Sequence, residues 1–102
     1  MKHLSIETIK EEVTIDMVLN ELGASTGWVN GWGEWLPVNC PFHHDQEASA
    51  SMNRGAGLFL CHGCGAPNRD NGKAGDIIDV AKYHLQTQSI SEAIEWLCRE
   101  FK

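Results

Sequence analysis

Four side chains that bind soft metal ions occur as two matched pairs in the middle of this sequence. Cys40 is followed three positions later by His43, and Cys61 is followed three positions later by Cys64. A two-residue spacer lets a tight turn aim both members of a pair at one ion. Three thiolate sulfurs and one imidazole nitrogen complete a tetrahedron, which is the ligand set of a closed structural zinc site. The spacing therefore predicts one structural zinc ion with no open position for a substrate.

Two other interpretations of these residues exist. A redox pair formed by Cys61 and Cys64 would leave the matched pair of Cys40 and His43 without a role. His44 or His62 could replace His43 as the nitrogen ligand, but neither keeps the two-residue spacer from Cys40. The four-ligand site explains more of the pattern than either alternative.

The composition is that of one small globular domain. The 102 residues (11.3 kDa) are 42% hydrophobic and 22% charged, which is neither disordered nor membrane-like. No apolar run reaches the roughly 20 residues of a membrane span, and residues 1–5 lack the apolar stretch of a signal peptide. We expect a cytoplasmic protein with no membrane partner, in a reducing compartment where cysteines favour metals over disulfides.

Three segments are expected within a single domain covering residues 1–102. Residues 1–23 and 76–102 show helical spacing of apolar residues, whereas residues 24–75 are rich in glycine and in short strand-like runs. The ligands all fall in the middle segment. The predicted fold class is α+β, a small antiparallel zinc ribbon flanked by N-terminal and C-terminal helices.

Helix starts can be placed by capping residues. Thr14 and Asp76 are predicted N-caps, and Ser89 with Glu92 forms a predicted capping box. Ser5 is a further candidate cap. The last helix is expected to bury a continuous stripe made of Ile90, Ala93, Ile94, Leu97, Cys98 and Phe101, with Cys98 as a buried thiol.

Strands are predicted around the ligands. The Asn-Gly pair within residues 28–32 indicates a hairpin. Residues 35–38, 49–53 and 58–60 are further strand candidates, and residues 54–57 should form the turn between the last two. Such a ribbon would bring the two ligand pairs together.

These motifs resemble the zinc-binding domain of bacterial DnaG-type primases, a Cys-His-Cys-Cys zinc ribbon. That family has Cys-Pro-Phe-His, an acidic residue, a Ser-containing strand, Cys-x-Gly-Cys-Gly, and Gly-Asp opening a helix. The corresponding residues here are Cys40-Pro41-Phe42-His43, Asp45, Ser49, Cys61-His62-Gly63-Cys64-Gly65 and Gly75-Asp76. The closing Phe-x-Glu-Ala-x-x-x-Leu helix of the family is matched by residues 90–97.

The resemblance implies a role in priming DNA synthesis. We expect a stand-alone zinc-binding subunit that engages single-stranded template DNA and supports RNA primer synthesis by a separate catalytic primase chain. A helicase is a further candidate partner. The sequence contains no Asp-x-Asp cluster, Gly-rich phosphate loop or Walker motif, so no catalytic residue is predicted. Such a division would suit a phage or mobile element, acting in the host cytoplasm.

Nucleic-acid contacts are expected to be weak. The formal charge of 8 − 14 = −6 argues against binding by bulk electrostatics alone. We expect few contacts, all on the ribbon face, with single strands preferred. The candidates are Arg54, Phe59, His62, Arg69 and Lys73.

Three tryptophans and an acidic helix leave alternatives open. Trp28, Trp32 and Trp35 either stack on single-stranded bases or pack onto the small core. The acidic residues of the last helix, Glu92, Glu95 and Glu100, either face a basic protein partner or serve solubility. At the level of function, two alternatives to a primase subunit stay open: a zinc-ribbon regulator that binds nucleic acid or a polymerase, and a purely structural interaction module.

Overall fold

A computed structural model describes residues 6–24, 35–43, 49–68 and 72–101. The predicted hairpin at residues 28–32 and the candidate cap Ser5 lie outside these described residues, as do Trp28, Trp32 and Arg69. Within them the chain forms helices at both ends and a small antiparallel sheet between them, so the predicted α+β class is confirmed. No helix in this part of the chain is long and apolar enough to cross a membrane.

Two short helices form the N-terminal part, α1 (Ile6–Glu12) and α2 (Ile15–Glu21). Thr14 caps α2 as predicted, because its hydroxyl accepts the N–H of Met17 at 3.3 Å. Gly23 follows the last turn with φ 104°, a backbone angle that suits glycine and ends the helix. The buried apolar residues of this part are Ile9, Val13, Ile15, Val18 and Leu19.

Three strands make the sheet, β1 (Leu36–Val38), β2 (Ala50–Asn53) and β3 (Leu58–Cys61), in the order β1-β2-β3. Each strand agrees with its prediction to within a residue at either end. Pro37 lies in the edge strand and pairs with Ser51 of the central strand. On the opposite edge, Phe59 exchanges two backbone hydrogen bonds of 2.9 Å with Gly75.

Helices α3 (Ile77–Leu85) and α4 (Ile90–Phe101) close the chain. Asp76 caps α3 as predicted, accepting the N–H groups of Ile78 and Asp79. The predicted capping box at Ser89 is only half formed: its hydroxyl accepts the N–H of Glu92 at 3.2 Å. The carboxylate of Glu92 instead accepts the hydroxyl proton of Thr87. The N–H of Ser89, which a full capping box would pair with Glu92, donates to the hydroxyl of Thr87 instead.

The buried stripe of α4 differs from its prediction at several positions. The prediction that Ile90 is a core residue is wrong, since Ile90 begins the helix and is 48% exposed. Trp96 is buried instead, where its ring lies 5.0 Å from that of His84 and 5.9 Å from that of Phe101. Cys98 and Phe101 are half-buried rather than buried. The stripe therefore starts one turn later than predicted and is widened by an aromatic side chain.

Candidate metal centre

The sheet delivers the predicted metal ligands to one end of the ribbon. Cys61 is the last residue of β3, and Cys40 follows β1 after a single intervening residue. Both cysteines are buried, Cys64 is half-buried and His43 is exposed. The cluster thus has an inner side anchored in the core and an outer side open to the surroundings.

The four ligand atoms lie within 4.8 Å of one another. The sulfurs of Cys40 and Cys64 are 3.7 Å apart, and Nε2 of His43 is 3.3 Å from the sulfur of Cys61. A tetrahedron with Zn–S bonds of about 2.3 Å has S–S edges of about 3.8 Å and slightly shorter N–S edges. Both spacings therefore agree with the edges of a zinc tetrahedron, and the cluster is suited to one zinc ion.

Local backbone geometry sets up each pair of ligands. The N–H of Phe42 donates to the sulfur of Cys40 at 3.4 Å, and the N–H of Cys64 donates to the sulfur of Cys61 at 3.4 Å. These bonds fold the chain tightly around each first cysteine and stabilise its thiolate. Gly65 takes φ 82° immediately after the second pair, a conformation that favours glycine.

The two buried cysteines ionise differently. Burial acts to raise the pKa of Cys61, but hydrogen bonds from the N–H of Cys64 and from the His43 and Ser49 side chains outweigh it and lower the pKa to about 6. Burial raises the pKa of Cys40 above its ordinary range, and contact with Cys61 raises it further. Cys61 is therefore a thiolate at neutral pH, whereas Cys40 must lose a proton when it ligates a metal.

The predicted DNA contacts differ in exposure and in their partners. Phe59 is fully buried, so its prediction as a DNA contact is wrong: its ring packs in the core and meets the ring of Phe42 edge-on at 6.2 Å. Arg54 lies at the turn between β2 and β3, away from the metal end, and pairs with Asp16 at 2.5 Å. His62 is exposed next to Cys61.

Lys73 is the other predicted DNA contact that the structure describes, and Trp35 is the described member of the three tryptophans whose role the sequence leaves open. Lys73 is exposed and forms an isolated backbone bridge with Asn68. Trp35 is 44% exposed just before β1, so its ring is available for stacking as well as for packing.

A groove of about 580 Å³ beside the cluster was not predicted. It runs between the loop of the first ligand pair and α3, and its lining includes Phe42, Lys82 and Tyr83. The rings of Phe42 and Tyr83 meet edge-on at 4.7 Å. Sequence spacing does not show that this loop and α3 lie side by side. The one local signal of the groove is the position of Phe42 inside a ligand pair.

The fold and the cluster together define a zinc ribbon, in which a small sheet presents four ligands to one ion. The model of the CHC2 zinc finger family matches residues 1–102. The chain therefore belongs to the CHC2 zinc finger family, and the resemblance drawn from its motifs is confirmed.

Known relatives are DNA primases of much greater length. A DNA primase of Helicobacter pylori is 38% identical over 64 residues, which cover 61% of this chain and 10% of that protein. A DNA primase of Thermotoga maritima is 32% identical over 94 residues, covering 92% of this chain and 14% of that protein. The chain thus spans only a small part of the curated relatives that it matches.

A solved structure shows the same arrangement. The crystal structure of the Aquifex aeolicus primase, with its zinc-binding and RNA polymerase domains, matches with a TM-score of 0.62 and 26% sequence identity. The match covers 96% of this chain and 22% of that chain. The likeness therefore extends over the helices as well as the ribbon.

Proposed function

We propose that this chain is the zinc-binding subunit of a DNA primase, and that it supports RNA primer synthesis by a catalytic primase chain supplied separately. The observation that carries the proposal is the family match over residues 1–102, whose Cys-His-Cys-Cys pattern coincides with the cluster in the structure. Cys40, His43, Cys61 and Cys64 hold one structural zinc ion. The proposal places the chain in the cytoplasm with the replicating DNA.

The proposed template face lies at the metal end of the ribbon. His62 is exposed there next to Cys61, Lys82 lines the groove beside Phe42, and Lys73 is a further exposed cation of the same segment of the chain. Three thiolates, one neutral imidazole and a divalent ion leave the zinc site with a charge of about −1. With so few cations, we expect weak binding of single-stranded DNA and a shallow dependence on salt concentration.

A weak template face becomes useful when it is held beside a polymerase. Docking raises its effective concentration at the catalytic centre without adding any DNA contact. Glu92, Glu95 and Glu100 are exposed on α4 together with Arg99, and the excess of carboxylates offers a net acidic surface to a basic partner. We propose this surface as the docking site for the catalytic chain, with a helicase as a second partner.

Reconstitution tests the proposal directly. The chain is mixed with a catalytic primase chain that lacks its own zinc domain, a single-stranded template and ribonucleotides. Primers should form poorly with either chain alone and well with both. Cys61→Ser should abolish the gain, because it removes a zinc ligand.

A matched control comes from the same residue type. Cys98 lies on α4, outside the ligand cluster, so Cys98→Ser should keep the gain in primer yield. Equal primer yield with and without wild-type protein would contradict the proposal. That result would favour a zinc-ribbon regulator, for which we expect binding to nucleic acid or a polymerase without any effect on priming.

A further inference from the structure

The side chain of Ser49 lies against two of the four metal ligands. Its Oγ is 3.6 Å from the sulfur of Cys61 and 3.5 Å from Nε2 of His43. Its backbone is held as well, because its carbonyl accepts the N–H of His62 at 3.0 Å. The hydroxyl is therefore fixed beside the cluster by the continuation of the β2–β3 pairing.

Gly63 leaves the space that this hydroxyl occupies. A Cβ atom at position 63 would lie 3.0 Å from Oγ of Ser49 and 3.3 Å from Nε2 of His43. Contacts this short force a neighbour to move. The second ligand turn thus approaches the serine and the histidine so closely that only glycine fits without displacing them.

The direction of the hydrogen bond follows from the ligand chemistry. A thiolate accepts hydrogen bonds but cannot donate one, whereas a hydroxyl can donate. A nitrogen that ligates zinc has no lone pair left for the hydroxyl proton. With the metal in place, the sulfur of Cys61, 3.6 Å away, is a ligand atom that can still accept the hydroxyl proton of Ser49.

We propose that Ser49 is a positioning residue of the zinc site, whose hydroxyl donates to the Cys61 thiolate and slows the release of the metal. The proposal rests on the zinc site of the proposed function but not on priming. Outer hydrogen-bond partners of metal ligands commonly change metal affinity by about 10–100-fold when they are removed.

The test is the release of metal from the full chain loaded with Zn²⁺ or Co²⁺. Ser49→Ala should release zinc to a chelator about 10-fold faster or more, and should shift the thiolate-to-cobalt charge-transfer band. Ser51→Ala is the matched control, since Ser51 lies on β2 opposite Leu60 rather than beside a ligand. It should leave the release rate and the band unchanged.

A double-variant cycle keeps the test informative if single variants weaken the fold. Gly63→Ala should accelerate zinc release strongly in the wild-type background. Its additional effect should be smaller when Ser49→Ala has already removed the oxygen that the new methyl group would meet. Strictly additive effects, or an unchanged rate and band in Ser49→Ala, would overturn the proposal.

Priming gives an independent readout. A chain that stimulates priming but shows no role for Ser49 refutes only this inference. A wild-type chain that takes up neither metal refutes the zinc site, and with it both proposals.

Discussion

Replacing Asp76 with alanine should destabilise the zinc-loaded protein by about 1–3 kcal/mol. One carboxylate oxygen of Asp76 accepts the N–H of Ile78 at 3.0 Å and that of Asp79 at 3.1 Å. The other lies 2.6 Å from Nζ of Lys10 on α1. A lost N-cap costs roughly 1–2 kcal/mol, and a partly exposed ion pair contributes up to about 1 kcal/mol.

Two milder variants separate the cap from the ion pair. Asp76→Asn keeps an oxygen for the helix N–H groups but no charge for Lys10, so it should cost only about 0.5–1 kcal/mol. Lys10→Met should cost a similar amount. In the Lys10→Met background, Asp76→Asn should then cost almost nothing, because the interaction that it removes is already gone.

The assay is denaturant unfolding followed by circular dichroism at constant zinc concentration. If the protein is unfolded by heat instead, each kcal/mol of lost stability should lower the melting temperature of a domain of this size by about 4–8 °C. A loss in Asp76→Asn equal to that in Asp76→Ala would refute the assignment of most of the energy to the cap.

The pH dependence provides a second check. Burial acts to raise the pKa of Asp76, but hydrogen bonds from Lys10 and from the N–H groups of Asp79 and Ile78 outweigh it and hold the pKa below its ordinary value. A carboxyl whose pKa is lowered by folding stabilises the protein above its unfolded pKa, about 3.9. This stabilisation is lost as the pH falls through the folded pKa. Between pH 6 and 8 the difference between wild type and Asp76→Asn should therefore stay constant.

Three further predictions concern the metal, a close contact and the core. Zinc affinity should rise between pH 6 and 8 with release of protons, since burial raises the pKa of Cys40; calorimetry in buffers of different ionisation heat checks this, and a pH-independent affinity would contradict it. Gly75→Ala should cost about 1–3 kcal/mol in denaturant unfolding, because its Cβ would lie 2.5 Å from Pro67. Gly55→Ala, whose Cβ meets nothing closer than 3.7 Å, should change stability by less than about 0.5 kcal/mol, and equal losses would refute the contact argument. Leu97→Ala should lower the free energy of unfolding by about 2–5 kcal/mol, because Leu97 is fully buried. An equally large loss from Ile90→Ala would contradict the finding that Ile90 lies outside the buried stripe of α4.

Local signals in the sequence predict most of the elements. Thr14 and Asp76 are caps because their oxygens reach N–H groups two or three residues away, which is a property of adjacent residues. The strands also follow from local runs. By contrast, the burial of Trp96 and the exposure of Ile90 depend on where α3 and the rest of the core end. A short stretch of sequence does not contain that information.

The metal cluster could be predicted because the types and spacing of its four residues identify a zinc ligand set. The contacts around the cluster could not be predicted in this way. Ser49 and Gly63 meet only because β2 continues toward the second ligand turn, and their contact depends on distances of a few tenths of an ångström. The burial of Phe59 could not be predicted, because a four-residue strand gives too little alternation to decide which face is buried.

The placement of Pro37 has a consequence for how the protein behaves at high concentration. An edge strand can recruit a strand from another molecule, and the growing sheet leads to aggregation. Proline has no N–H to donate, so an incoming strand cannot form an unbroken row of backbone hydrogen bonds with β1. On the far edge, the pairing of Phe59 with Gly75 occupies the backbone groups that would otherwise be open. Both sides of this small sheet are thus protected against intermolecular strand addition.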